Sequence, residues 1–365
     1  MQRIYSIDYL RGLMALSVLF YHFDSWTVGV PDSSTIIGRL GIYAVSTFFI
    51  ISGMSLYIAY RKTEWDRRSV AVFAAKRYIR LAPAFWVACI AAVIVLLITE
   101  PNYSVRWKQL IYNLSLLFGF FKPQAYITVG GWSIGNEVVF YALFPLILWS
   151  KPKRRLLITA AIMITFAVHT YYAFIMLNPE GEYTAQKWYT YIQPWNNVFL
   201  FISGIFIAWI SMEAKLSQSK IYWLPIIGLM MAFCFYPANG NLINIMTGIN
   251  RISFTAICIA LCFCTFNLSI SRISKVGSFL AVLGDMSYSI YMFHGVIAEI
   301  TLKIIAPCFG IHSPADQLLL LNYIALPAIL SLSFVFFFYV EKKAMRHSRK
   351  IDNHEYSKVQ RADQR

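Results

Sequence analysis

The feature that most constrains this chain is a recurring run of about twenty apolar residues, separated by short polar connections. A helix crossing the hydrocarbon core of a bilayer needs roughly 20 mainly apolar residues. Runs of about that length fall at 9–28, 38–60, 81–99, 132–149, 155–176, 195–211, 221–237, 251–268, 281–304 and 318–340. They predict an all-α, polytopic integral membrane helix bundle with about ten transmembrane helices. The composition agrees: 58% of the residues are hydrophobic and 13% are charged, against about 25% charged in soluble domains. Intrinsic disorder, a disulfide-rich secreted scaffold and an ordinary soluble enzyme are excluded on that ground. The segment 109–121 is too short to span, and it reads as an interfacial or re-entrant helix. The first run is interrupted early by Asp8 and Arg11, and no small-residue cleavage site follows Phe20. It therefore reads as a retained first span. Residues 1–343 form one membrane domain in this reading, and 344–365 form a polar cytoplasmic tail.

The formal net charge of +15 raises nucleic acid as a partner, and the placement of the basic residues removes it. Of the 32 lysines and arginines, 25 fall on the side that holds both termini and the connections at 61–80, 150–155, 212–220 and 269–280. The other 7 are Arg39, Arg106, Lys108, Lys122, Lys187, Arg251 and Lys303. The positive-inside rule then puts both termini in the cytoplasm. The basic residues serve topology and contact with membrane lipid headgroups.

Ionisable residues inside spans are costly and point to function. Arg11 and His22 stand eleven residues apart on the first run. At about 100° per residue they share one face, separated by a rise of about 16 Å. In the fourth run, Ser133, Glu137 and Tyr141 recur every four residues on one face. With that run entering from outside, Glu137 is expected at a depth like that of His22. A histidine beside a carboxylate is a pairing that acid–base chemistry uses. At the cytoplasmic start of the third run stand Lys76, Arg77 and Arg80. Paired guanidiniums suit a bidentate grip on phosphate, and a topology signal is the plainer alternative. Ser52 and Gly53 are small and permit close helix approach. Ser287, Tyr291 and His294 share a face of the ninth run, with His294 either a second acid–base group or a structural tether. His169 reads as a satisfied core residue, and His312, His347 and His354 lie in polar segments. Of the six cysteines, Cys258, Cys262 and Cys264 cluster with no His or acid beside them, so no metal site is expected.

Five segments taken in order resemble the acyltransferase-3 family of integral membrane acyltransferases. They are IDYLRGLMALSVLFYH, FFIISGMSLY, KRYIRLAPAFW, WSIGNEVVFYALFP and GDMSYSIYMFH. The exit YVEKKAMR is similar to the family's closing motif, with Lys343 where proline is common. The resemblance covers residues 4–343, and the SGNH esterase-like domain of longer relatives is not expected here. It implies transfer of an acyl group, most often acetyl, from cytoplasmic acyl-CoA (acetyl-CoA) to a hydroxyl of an extracytoplasmic carbohydrate. O-antigen, capsule or exopolysaccharide would be the acceptor, at the bacterial inner membrane. In that reading His22 is the general base and Glu137 orients it. Arg11, Arg77 and Arg80 meet the anionic donor. Ser52, Trp132, Ser133, Tyr141, Tyr288, Tyr291 and His294 are candidates for substrate or oxyanion contacts. The rival is a multi-span transporter or flippase of a lipid-linked sugar or acyl compound. It is weakened because the sequence carries no inverted repeat.

Overall fold

The computed structural model describes residues 4–178, 184–270 and 275–347. Those residues are helical throughout, apart from connections and one isolated bridge between Ser219 and Leu268. Among them, eight helices are long and apolar enough to cross a membrane. Two further runs are also helical but fall outside that set. The first, α1 (Tyr5–Thr27), has the length but carries Asp8, Arg11, His22 and Asp24. The other is the 13-residue α10, introduced below. Every one of the ten apolar runs is thus helical, and the chain is a multi-pass α-helical bundle.

The chain runs α1, α2 (Ile36–Tyr60), α3 (Arg67–Thr99), α4 (Trp107–Leu114), α5 (Phe118–Phe121), α6 (Gly131–Leu148) and α7 (Arg154–Tyr171). It continues with α8 (Ala185–Tyr191), α9 (Pro194–Glu213), α10 (Trp223–Phe235), α11 (Ile243–Met246), α12 (Gly248–Phe266), α13 (Lys275–Asp285) and α14 (Ser287–Ile300). Beyond a π-helical turn come α15 (Ala306–Cys308), then α16 (Pro314–Leu320) and α17 (Leu326–Phe336). The polar tail lies largely outside the described residues.

Three differences from the sequence reading matter for the site. First, α3 begins at Arg67 rather than near residue 81. The Asp66 carboxylate caps it by accepting from the Ser69 amide at 2.7 Å. Lys76, Arg77 and Arg80 therefore ride on a helix and not on a loop, and the i, i+3 spacing puts Arg77 and Arg80 on one side of it. Secondly, the ninth run is broken. The helix stops at Asp285 and restarts at Ser287, whose hydroxyl donates to the Gly284 carbonyl at 2.9 Å. The break leaves Asp285 at a helix end instead of mid-span, and the crossing segment becomes Ser287–Cys308.

Thirdly, segment 109–121 folds back against α3 and α6. Asn113 is fully buried and bonds the carbonyls of Gln109 and Ala125, while its own oxygen accepts from the Ile127 amide. These bonds tie α4 to the chain that follows it. The Leu114 carbonyl accepts from Tyr78 and Trp86 of α3, and Phe118 stacks on Phe85 with centroids 5.8 Å apart.

The core is centred on α2, which crosses α9 with backbones touching. A Cβ on Gly53 would lie 2.0 Å from the Phe201 carbonyl oxygen, and one on Gly204 would lie 1.9 Å from that of Ile50. In lipid, where helices gain little from hydrophobic association, such small-residue crossings hold a bundle together. The packing reading of Gly53 is therefore correct, and it turns the neighbouring Ser52 towards a cavity.

Candidate functional site

Helices α1, α2, α3, α6 and α14 surround a cavity of about 160 Å³. Its lining includes Arg11, Ser52, Arg77, Arg80, Ser133, Glu137, Tyr141, Ser287, Tyr288 and Tyr291. Nine of the twelve residues that the sequence marked for chemistry thus meet around one space, drawn from five helices. Trp132, His22 and His294 are not among the lining residues. Trp132 points into packing instead, edge-on to Phe49, Trp188 and Tyr191.

The charges in the cavity are held in contrasting ways. Arg77 is clamped: its guanidinium lies 5.7 Å from the ring centres of Tyr60 and Phe73 and 5.9 Å from that of Tyr141. Rings at that range attract a cation and restrict where it can go. Arg11 and Arg80, by contrast, make no hydrogen bond or ion pair among the described residues, yet they lie close enough to repel each other. Glu137 is within electrostatic range of Arg11 and accepts a hydrogen bond from Tyr141, one turn on along α6. Arg11 also lies in electrostatic range of Asp8 and Asp285, so the two guanidiniums are balanced at a distance by carboxylates while their donors stay free to grip an anion directly.

The hydroxyls are mostly committed. Tyr288 donates to the Leu81 carbonyl at 2.7 Å. The Gly130 carbonyl accepts from Ser133 at 2.9 Å and from Tyr291 at 3.2 Å. Gly130 itself has φ +75°, and a Cβ there would lie 2.7 Å from the Tyr291 ring, so only glycine admits this contact. Ser52 lies at a long 3.5 Å from the Tyr141 hydroxyl, and since Tyr141 donates to Glu137, Ser52 is the donor in that weak contact.

His22 and Glu137 are not brought together. Glu137 lines the cavity, in electrostatic range of Arg11 and of Tyr291, while His22 is not among the lining residues. His22 has aromatic neighbours: its ring stacks on Trp26 at 4.9 Å and on His294 at 5.2 Å.

Sequence reasoning gave no role to Asp8, Asp285 and Glu341, three carboxylates in electrostatic range of Arg11. Glu341 is buried, accepts from the Ser289 hydroxyl, and lies in electrostatic range of Arg80 and Arg11. The signal was an acid at the close of the last apolar run. His169 is a satisfied core residue, as expected, contacting the Asn196 carbonyl at 3.2 Å and Thr255 at 3.3 Å. No group of three or more metal-ligating side chains occurs among the described residues.

Comparison with known proteins adds a family and a relative. Residues 4–342 match the acyltransferase-3 family, described as an acyltransferase domain. The chain is 22% identical over 291 residues to the exopolysaccharide production protein ExoZ of Rhizobium meliloti (strain 1021), covering 76% of this chain and 83% of that protein. No solved structure matches the chain significantly.

Proposed function

Because the chain belongs to the acyltransferase-3 family and is a membrane acyltransferase, we propose that it moves an acyl group, acetyl in the first instance, from cytoplasmic acyl-CoA to a hydroxyl of an extracytoplasmic polysaccharide. The observation that carries this reading is the cavity lined by Arg11 and Arg80, neither with a direct hydrogen bond among the described residues, beside the clamped Arg77. A nucleotide thioester is polyanionic at one end and neutral at the other. The arginines take the phosphates, and the neutral arm extends along α1 towards His22. His22 removes the proton of the acceptor hydroxyl. The oxygen bonds to the thioester carbon, the carbon–sulfur bond breaks, and the thiolate leaves and takes up the proton. Ser52, whose hydroxyl proton is held only by a long contact to Tyr141, supplies a donor along that path. Glu137 and Glu341 act as counter-charges that hold the arginines apart. The acceptor class, an exopolysaccharide, follows the name of the relative. The inner bacterial membrane, where acyl-CoA meets the inner face, follows from the donor.

The test is acyl transfer in membranes supplied with labelled acetyl-CoA and deacylated surface polysaccharide. His22→Ala is expected to lower product formation by ~10²–10⁴-fold, the usual cost of losing a general base. Near-normal product from His22→Ala at normal membrane levels overturns the assignment.

A further inference from the structure

His294 sits 1% exposed on α14, outside the cavity. Its Nδ1 lies 2.7 Å from the Tyr291 carbonyl oxygen. A carbonyl can only accept, so Nδ1 carries the proton, and the neutral ring presents a bare lone pair at Nε2. That Nε2 is buried and has no hydrogen-bond partner. Buried polar atoms in native proteins are almost always paired, and an unpaired one in a reactive cluster calls for a ligand. The cluster is in place: His294 stacks on His22 at 5.2 Å, and both rings lie beside Trp26, which is 6.1 Å from His294. Tyr291, whose carbonyl fixes the tautomer, reaches the donor cavity with its side chain. The ring that waits for a partner is therefore tied to the cavity wall by one turn of helix.

We propose that His294 is a second catalytic histidine that reads the acceptor. Its Nε2 accepts a hydrogen bond from a hydroxyl neighbouring the one that His22 deprotonates. A sugar offers adjacent hydroxyls, and a fixed lone pair beside the base selects which of them is presented for acylation. The proposal rests on the acyltransferase reading above and adds the group that recognises a polyol acceptor. No proton passes to His294 in the reaction; it orients the acceptor through one hydrogen bond.

Two substitutions separate this role from packing. His294→Phe keeps a stacking ring and removes the lone pair. His294→Gln keeps an acceptor oxygen near the Nε2 position. Steady-state transfer from acetyl-CoA to deacylated surface polysaccharide is measured with each, at matched membrane levels. His294→Phe is expected to lower kcat/KM for the acceptor by roughly tenfold, the scale of one lost hydrogen bond. The KM for acetyl-CoA should stay within about twofold, and His294→Gln should recover part of the loss. If His294→Phe does not accumulate, His294→Asn serves, because its amide still donates to the Tyr291 carbonyl but offers nothing at Nε2. Acceptor kcat/KM within twofold of wild type in the ring or Asn variant overturns the proposal. So does a rise in acetyl-CoA KM that matches the loss. His22→Ala run alongside tells the two readings apart. If it is inactive while His294→Phe is normal, only the inference about His294 falls. If His22→Ala is itself normal, the reading beneath it falls.

Discussion

Arg39 and Arg80 are both arginines within a membrane bundle, and the structure treats them in opposite ways. Arg39, 2% exposed, donates to five backbone carbonyls: Ser33, Phe233, Cys234, Tyr236 and Ala238, at 2.6 to 3.2 Å. Four of those carbonyls are the open end of α10 and the chain beyond it, where a helix terminus lacks internal partners and favours a cation, and Ser33 lies in the connection before α2. Arg80, with Arg11 beside it, faces a cavity and bonds none of the described residues. A satisfied arginine is architecture, and one that faces a cavity with its donors uncommitted is free to bind an anion. Burial of charge alone does not tell the two apart; the state of the donors does.

The largest effect should come from the architectural side. Arg39→Met leaves several carbonyls unpaired, and each buried orphan costs about 1–3 kcal/mol. A loss of at least about 3 kcal/mol is expected, read as poor accumulation and a lowered melting temperature in detergent. The molecules that do fold should keep normal affinity for acetyl-CoA. The Arg11→Ala, Arg80→Ala double variant should do the reverse. Donor affinity falls about 100-fold or more, since each charge-assisted contact contributes about 1.5–3 kcal/mol, while the melting temperature does not fall. If the double variant melts early instead, the distinction between the two kinds of arginine collapses.

A smaller effect tests the scaffold between these regions. Gly204→Ala forces a methyl against the Ile50 carbonyl at the α2–α9 crossing, at a cost of about 1–3 kcal/mol of overpacking. Since Ser52 rides on the same stretch of α2, kcat should fall more than the KM for the donor rises. The smallest effect is at the periphery. Lys151 and Glu64 form an exposed ion pair at 2.6 Å that holds the Glu64 carboxyl below its usual range. Exposed pairs contribute little, so Glu64→Gln should leave melting temperature and activity unchanged.

Much of this was legible in the sequence. Apolar run length identified the helices, because a bilayer admits little else. Angular periodicity correctly placed Ser133, Glu137 and Tyr141 on one face, since that depends only on the helix itself. What periodicity cannot supply is depth and neighbour. That Glu137 comes within electrostatic range of Arg11 depends on how α1 and α6 sit in the bundle. The break at Met286 was hidden inside an unbroken apolar run, with Asp285 as its single clue. Arg39 and Arg251 were counted as outer topology charges. Both are buried and bond carbonyls, Arg251 those of Met246 and Asn196, and such partners leave no trace in side-chain chemistry. The pairing of His22 with His294 joins residues 272 positions apart, a contact that no local pattern encodes.

The central claim is that the unpaired arginines of the cavity hold the acyl donor. The most direct measurement is equilibrium binding of acetyl-CoA to the purified protein in detergent, wild type beside the Arg11→Ala, Arg80→Ala variant, at low and high salt. The account predicts saturable binding by the wild type that weakens with salt and falls about 100-fold or more in the variant. Equal affinity in the two proteins would contradict it.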